Sequence, residues 1–222
     1  MLKQQEATSA PIFEHLHKQI ISMQIYPGQK LSENGLAKQF SISRTPVREA
    51  IARLANIGLV EVKMKSGTFV TLLSTKKITE AQFIRQAIES AIVQKVAADV
   101  PLITIANCEY ILSQQEKAAI YNDAFQFQQL DDQFHQALAD YTKYDRAANI
   151  VQIEKAHLDR VRNLGLKEVG NQYTRVLEQH RRILEAIKQG DPEQAKLAMC
   201  EHTGEILTIL DEIKANHSDY FE

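Results

Sequence analysis

The chain lacks any apolar run of about eighteen residues, the length that a membrane-spanning helix requires. Its amino terminus also lacks the apolar stretch of a signal peptide, so we expect a cytoplasmic protein with no membrane partner. Cysteine is scarce, because Cys108 and Cys200 are the only two and they form no CxxC pair. This usage argues against a disulfide framework, and we assign neither thiol any chemistry.

Charge is unevenly distributed along the 222 residues. Residues 1–75 hold nine Lys/Arg and five Glu, a net charge of +4, whereas residues 76–222 hold seventeen Lys/Arg and twenty-three acidic residues, a net charge of −6. The length suffices for two domains, and we interpret the asymmetry as two domains with different partners. The basic domain suits a polyanion, although chance scatter of charge is the alternative.

The amino-terminal third has the pattern of three helices followed by a hairpin. Apolar spacing predicts helices over residues 11–23, 33–40 and 44–56, and strands over residues 59–63 and 68–71. Ser32 and Ser43 are the expected N-caps of the second and third helices, and Pro46 lies in the first turn of the third. This order predicts a winged helix-turn-helix.

Helical periodicity dominates from residue 78 onward. It predicts helices near residues 79–98, 102–119, 122–141, 144–165, 172–189 and 192–215. The fold class is therefore mainly α, with an antiparallel all-α bundle as the second domain. We expect a DNA-binding domain over residues 1–71, a linker over 72–77, and a helical effector-binding and dimerisation domain over 78–222.

The third helix carries the features of a DNA-recognition helix. Its amino-terminal end enters the major groove in a helix-turn-helix, and Arg44 and Arg48, four residues apart, share one face there. Arginine bonds guanine or phosphate, and serine and threonine reach phosphate oxygens. The predicted contacts are Ser43, Arg44, Thr45 and Arg48 on the helix, and Lys63, Lys65 and Gly67 in the wing. A structural helical hairpin with solvated arginines is the alternative.

Three histidines and one aspartate form a candidate metal site in the second domain. Asp131 and His135 lie four apart on one helix face, and His180 and His202 lie eleven residues before and after Asp191. If a turn lies at Asp191, both imidazoles lie at one level of an antiparallel pair, about 16 Å from it. A divalent metal would give these buried groups partners, and zinc, nickel, manganese or iron suit the donors. Hydrogen bonding to neighbours without a metal is the alternative.

The amino-terminal motifs resemble the GntR family of bacterial regulators. They are Leu31-Ser32-Glu33, Leu36-Ala37, the run from Ser43 to Ala50, Arg53-Leu54, Gly58-Leu59-Val60 and Gly67-Thr68-Phe69-Val70. The resemblance implies DNA contacts from Arg44, Thr45, Arg48 and the wing turn at Gly67. One departure is Asn34-Gly35, where many members carry a charged or longer polar side chain.

The second domain resembles the FCD-type sensor domain of the FadR subgroup. The match is Asp131-x-x-Phe134-His135, then His180, then His202. The resemblance implies that Asp131, His135, His180 and His202 hold a divalent metal, with zinc as the first candidate, and that the effector is a small organic acid. Arg85 is then a candidate anion partner, with a surface ion pair to Glu89 as the alternative, and Arg160 and Arg162 are weaker candidates.

These features together predict a homodimeric, sequence-specific transcriptional regulator. Two DNA-binding modules held by a dimeric bundle would read an inverted repeat in double-stranded DNA. Repression relieved by ligand is the commoner outcome in the family that the chain resembles. Two alternatives are a helical-bundle metalloenzyme and a regulator whose pocket binds ligand without metal. The predicted bundle has no pair of Glu-x-x-His motifs, which a di-iron enzyme would need.

Overall fold

The computed structural model describes the backbone of residues 2–222 and the side chains from residue 9 onward. The chain forms two compact units, one of residues up to Ser74 together with His217–Glu222, the other of Thr75–Asn216. These boundaries differ from the predicted ones at two places. Residues 75–77, predicted as linker, already form the first turn of a helix. The final six residues, predicted as part of the bundle, belong with the amino-terminal unit.

The amino-terminal unit is a winged helix-turn-helix. Its elements are α1 (Leu2–Ile21), β1 (Lys30–Leu31), α2 (Glu33–Gln39), α3 (Arg44–Asn56), β2 (Val60–Lys63) and β3 (Gly67–Val70). The strands form an antiparallel sheet in the order β1-β3-β2. The prediction missed β1, because two residues are too few to show alternation. The predicted start of the first helix at Pro11 was also wrong, since α1 passes through that residue.

The core of this unit forms where α1 packs against α3. Leu16 and Ile20 of α1 are fully buried, and so are Val47 and Leu54 of α3. The spacing of four in α1 and seven in α3 puts each pair on one helix face. The face of α3 that carries the two arginines is thereby left free of the core.

The two predicted serine caps behave differently. The Ser32 hydroxyl accepts a hydrogen bond from the Gly35 amide at 3.1 Å, which confirms the first cap. A Cβ atom at Gly35 would lie 3.3 Å from the Ser32 side chain, so glycine leaves room for this bond. Ser43 lies at the N-cap position of α3, but its side chain makes no capping bond, so that part of the prediction was wrong. Its extended backbone leaves the side chain exposed to solvent.

The carboxyl-terminal residues pack within the amino-terminal unit through a parallel bridge between Leu73 and Phe221. The Leu73 amide donates to the Tyr220 carbonyl at 2.8 Å, and the Glu222 amide donates to the Leu73 carbonyl at 3.2 Å. Tyr220 also stacks on Tyr26 with ring centroids 5.6 Å apart. Because of these contacts, residues 217–222 belong to the amino-terminal unit and not to the helical bundle.

The second unit consists of helices throughout. They are α4 (Thr75–Asp99), α5 (Leu102–Ile120), α6 (Ala124–Thr142), α7 (Asp145–Glu168), α8 (Gln172–Lys188) and α9 (Pro192–Asn216). Each lies within a few residues of its predicted range, and α4 packs against α6, α7, α8 and α9. A turn at Gly190-Asp191 joins α8 to α9 as predicted, with the Asp191 carboxylate accepting from the Gln194 amide at 2.9 Å. Among the described residues, no helix combines the length and apolar character needed to span a bilayer.

Candidate metal centre and nucleic-acid interface

The structure brings together the four side chains predicted to bind metal. Asp131 and His135 come from α6, His180 from α8 and His202 from α9, and all four are buried. One donor atom from each lies within 4.8 Å of the others. The ring centroids of His180 and His202 are 4.6 Å apart, as expected from their equal distance to the turn. The four predicted donors therefore form one cluster, which we call the His₃Asp cluster.

The donor atoms of this cluster point toward a common centre. The Nε2 atoms of His135 and His202 are 3.0 Å apart. His180 Nε2 lies 3.5 Å from Asp131 Oδ1, and His135 Nε2 lies 3.8 Å from Asp131 Oδ2. Three ring nitrogens and one carboxylate thus converge from three different helices.

Each imidazole presents its other nitrogen to an acceptor outside the cluster. The Nδ1 distances are 3.0 Å from His180 to Gln115 Oε1, 3.0 Å from His202 to Gln179 Oε1, and 3.2 Å from His135 to Glu89 Oε2. An amide oxygen only accepts, so the contacts of His180 and His202 favour the proton on Nδ1 and direct the Nε2 lone pair at the centre, as is common among metal-binding histidines. The His135 contact is close but is not aligned as a hydrogen bond, and His135 Nε2 faces Arg85 Nη2 as well as the centre.

The residues fit a divalent cation. His180 Nε2 is buried and has no hydrogen-bond partner among the described residues, although a buried ring nitrogen without one is costly. A cation at the centre would accept electron density from this nitrogen, from the other two Nε2 atoms and from the Asp131 carboxylate. Imidazole and carboxylate donors in this number match the ligand chemistry of zinc.

Electrostatics keep the donors in their metal-binding protonation states. Burial opposes ionisation of Asp131, but the Arg162 guanidinium outweighs burial and holds the pKa of the carboxyl well below its usual value. Burial lowers the pKa of His180 to about 3, and burial likewise lowers the pKa of His202 well below its ordinary value. The aspartate is therefore ionised and both histidines are neutral near pH 7, which metal binding requires.

Arg85, the candidate anion partner, adjoins the cluster, and its contact with Glu89 lies inside the bundle. Arg85 Nε donates to Glu89 Oε2 at 3.1 Å, and Arg85 Nη2 lies 2.9 Å from His135 Nε2. The two side chains are only 8% and 6% exposed, so the alternative of a surface ion pair was wrong. Burial raises the pKa of Glu89, but the Arg85 guanidinium, together with the contact from His135, lowers it to about 2, so Glu89 is ionised opposite Arg85.

Arg162 and Arg160 differ in their relation to the cluster, although both lie on α7. Arg162 donates to Asp131 and, through Nη1, to Asp159 Oδ1 at 3.1 Å. Burial would lower the pKa of Arg162, but the Asp131 carboxylate raises it above its usual value. Residues two apart on a helix do not share a face, so Arg160 points elsewhere. Its burial lowers the pKa of Arg160 to about 10.

A partly open pocket of about 470 Å³, counting the solvent space at its mouth, lies beside the cluster. Its polar lining includes Arg85, Asp131, Arg162, Gln172, Gln179 and His202. Its apolar lining is Phe127, Leu166, Val176, Ile206 and Ile209. Arg160 is not among the residues that line this pocket. A pocket with an apolar wall and a few convergent polar groups has the usual features of a small-molecule site.

The predicted recognition helix presents its arginines to solvent. The side chains of Arg44 and Arg48 are 52% and 60% exposed, and both contact Glu33 Oε2, at 2.9 and 2.8 Å respectively. Hydrogen bonds from Arg48 and Arg44 lower the pKa of Glu33. Ser43 and Thr45 are exposed beside them. The structure thus places all four helix residues on one accessible surface.

The predicted wing residues lie in and beside the turn between β2 and β3. Lys63 and Lys65 are exposed, and Lys63 Nζ lies 2.7 Å from Glu61 Oε1. Gly67 has a φ of +116°, and a Cβ atom there would lie 2.7 Å from Lys30 Cε. Only glycine fits this backbone without strain. The turn therefore carries two cationic side chains on a tightly constrained backbone.

Comparison with known proteins identifies the family. The family described as bacterial regulatory proteins, gntR family, matches residues 8–70, and the FCD domain matches residues 80–205. The chain belongs to the GntR family. The transcriptional repressor RspR of Escherichia coli is 34% identical to this chain, and the match covers 95% of this chain and 92% of the relative. The gluconate operon repressor of Bacillus subtilis is 29% identical over 83% of this chain and 77% of the relative.

A solved structure has the same fold. The putative GntR transcriptional regulator from Rhodococcus sp. RHA1 superposes with a TM-score of 0.77 at 23% identity, covering 92% of this chain and 98% of that one. These findings confirm the predicted fold class and the assignment as a transcriptional regulator. The family and the named relatives are regulators rather than enzymes, which contradicts the metalloenzyme alternative.

Sequence reasoning missed several residues around the two sites of this GntR regulator. Gln115 and Gln179 hold the rings of His180 and His202, yet neither glutamine stands out in a chain rich in this residue. Glu33 contacts both arginines of α3 from eleven and fifteen residues earlier. The sequence could have indicated Glu33, because an acidic residue at the first position of α2 precedes the two arginines of the helix-turn-helix motif.

Proposed function

We propose that this GntR regulator binds one divalent metal ion, zinc as the first candidate, at the His₃Asp cluster, and that a small carboxylate bound beside the metal controls DNA binding. The observation that carries the proposal is the convergence of four buried donor atoms within 4.8 Å, with an acceptor behind each imidazole. Hydrogen bonding among neighbours alone would leave His180 Nε2 without a partner. Nickel, manganese and iron also suit three imidazoles and a carboxylate.

Charge supports an anionic effector. Arg85, Lys155 and Arg162 contact Glu89, Asp131, Asp132 and Asp159, so three positive and four negative side chains leave a net charge of −1 when all are ionised. A divalent cation at the cluster would therefore leave the polar end of the pocket positively charged. The pocket reaches both arginines and His202, so a carboxylate bound there would offset that charge. When bound, the metal would supply an electrophilic site for a carboxylate oxygen.

The amino-terminal unit supplies the DNA contacts in this proposal. Arg44 and Arg48 read base edges or phosphates from the exposed face of α3, with Ser43 and Thr45 on nearby phosphates. The wing residues Lys63, Lys65 and Gly67 follow the DNA backbone. A homodimer formed through the helical domain would place two such units on an inverted repeat. Repression is the expected sign, because two relatives are named repressors.

The test begins with the metal content of the purified full chain. Elemental analysis of wild type should give about one divalent ion per chain after reloading, and a His180→Ala variant should lose it. His157→Ala is the matched control, because this half-buried histidine lies outside the cluster. Calorimetric titration with small carboxylates should then show binding that depends on reloading. Metal retained by His180→Ala, or identical carboxylate affinity with and without metal, would contradict the proposal.

A pocket that binds its effector without metal is the second candidate. The observation that favours it is that Arg85 and Arg162 already bring two guanidinium groups to the pocket. In that case a metal-free protein would bind carboxylates as tightly as the reloaded one.

DNA binding is tested separately by mobility shift at increasing salt, where a steep loss of affinity is expected from phosphate contacts.

A further inference from the structure

Gln172 stands apart from the other polar residues that line the pocket. It is the first residue of α8 and is only 2% exposed. Its Oε1 and Nε2 atoms are both buried, and neither has a hydrogen-bond partner in the part of the chain that the structure describes. Gln179, another glutamine of α8 that lines the pocket, has a partner, because its Oε1 lies 3.0 Å from His202 Nδ1. Since nearly all buried polar groups in proteins are paired, both amide atoms of Gln172 call for a partner from outside the chain.

Helix geometry places Gln172 away from the His₃Asp cluster. Gln172, Val176 and Gln179 all line the pocket, and their spacing of four and three residues puts them on one face of α8. Gln179 holds a cluster histidine, whereas Gln172 lies about 10 Å farther along the helix axis, at 1.5 Å per residue. A ligand whose carboxylate lies at the cluster would meet Gln172 with a more distant part of its chain.

The hydrogen-bonding capacity of the Gln172 amide indicates which chemical group the distant part of the ligand carries. The amide offers two N–H donors and one carbonyl acceptor, while a hydroxyl group both accepts and donates. Hydroxyl groups therefore satisfy both Gln172 atoms, whereas a hydrocarbon chain leaves both unsatisfied. We propose that Gln172 is a specificity residue that hydrogen-bonds a hydroxyl of the effector, so that the effector is a hydroxylated carboxylic acid. This inference rests on the proposed metal-dependent carboxylate site.

The test compares two series of probes on the metal-reloaded full chain. Calorimetry measures the affinity of aldonic acids of increasing chain length and of unsubstituted carboxylic acids of the same lengths. Wild type should bind the best aldonic acid at least about tenfold more tightly than its unsubstituted counterpart, because an unpaired buried amide is costly. Gln172→Leu should bring this ratio close to one by weakening the aldonic acid alone. Gln194→Leu, the same change at an exposed position of α9, should leave the ratio at its wild-type value.

A second measurement distinguishes a recognition role from a structural one. Thermal unfolding of ligand-free Gln172→Leu should occur at or above the wild-type temperature, because leucine removes an unsatisfied polar group. A clearly lower unfolding temperature would show that the amide has a structural partner and would overturn the assignment.

The remaining outcomes separate this inference from the function on which it rests. If unsubstituted acids bind in a metal-dependent way but wild type shows no preference for hydroxyl groups, the role of Gln172 is refuted and the carboxylate site stands. A preference that survives in Gln172→Leu also refutes that role. If neither series binds the reloaded protein, both the inference and the carboxylate site are refuted.

Discussion

Replacing Gln115 by leucine tests the proposed metal site without changing any of its four candidate donor residues. Gln115 is fully buried in α5, where its Oε1 accepts from His180 Nδ1 at 3.0 Å and its Nε2 donates to the Phe127 carbonyl at 3.4 Å. Leucine keeps most of the volume but offers neither bond. His180 Nδ1–H would then be buried without an acceptor, and the ring would lose the contact that fixes its tautomer and orientation.

Two magnitudes follow from this loss. Removing the group that hydrogen-bonds the outer ring nitrogen of a metal-binding histidine typically weakens metal affinity roughly ten- to a hundredfold. Leaving a buried donor unsatisfied costs about 1–3 kcal/mol of the free energy of unfolding. Gln115→Glu provides the conservative comparison, because its carboxylate still accepts from Nδ1 and should retain metal affinity near the wild-type value.

The assay is competition for zinc against a chromophoric chelator, with circular dichroism as the measure of folding. Gln114→Leu is the matched control: this half-buried neighbour donates to Ser113 Oγ at 3.2 Å and lies outside the cluster. Gln115→Leu should lose zinc affinity while Gln114→Leu keeps it. A folded Gln115→Leu protein with unchanged zinc affinity would refute the role of the outer hydrogen bonds, and a loss of equal size in Gln114→Leu would refute its specificity.

Three further predictions concern the DNA surface and the packing of each unit. Arg48→Ala should weaken operator binding by about 1–3 kcal/mol in a mobility shift, because its exposed guanidinium is proposed to read a base edge; unchanged affinity would contradict this. Phe221→Ala should lower the free energy of unfolding by up to about 3 kcal/mol, measured by urea denaturation, because Phe221 is 9% exposed where it bridges to Leu73; an unaffected midpoint would mean that this contact contributes nothing. Gly165→Ala should cost about 1–3 kcal/mol by overpacking, because a Cβ atom there would lie 2.6 Å from Ile209 Cγ2, whereas the same change at Gly170, which has open space, should not.

The sequence predicted the parts of the cluster that depend on local spacing. Asp131 and His135 lie four apart in one helix, and His180 and His202 are equidistant from a turn that Gly190 and Asp191 mark, so helix geometry brings together the members of each pair. It does not by itself bring the two pairs together. The same holds for the recognition helix, whose predicted bounds of residues 44–56 match α3. Local periodicity and turn chemistry are sufficient for features of this kind.

The contacts between distant segments could not be predicted in this way. Gln115 reaches His180 only because α5 packs against α8, and a helical pattern does not specify which helices become neighbours. The closing residues pair with Leu73, which is far away in the sequence, and six residues show no periodicity. The sequence could not show whether the Arg85–Glu89 ion pair is buried or exposed, because the spacing of four residues is the same in both cases.

The His₃Asp cluster is connected to every helix of the second unit, and this arrangement explains how a bound ligand could alter the whole bundle. The contributing side chains are Glu89 of α4, Gln115 of α5, Asp131 and His135 of α6, Arg162 of α7, His180 of α8 and His202 of α9. A cation held by Asp131, His135, His180 and His202 would stabilise the arrangement of helices that presents these four donors together, by an amount set by its affinity and concentration. An effector that engages the same centre shifts the bundle only through its different affinity for alternative helix arrangements. The polar centre, which six helices share, is therefore a stronger candidate for transmitting ligand binding than the apolar wall of the pocket.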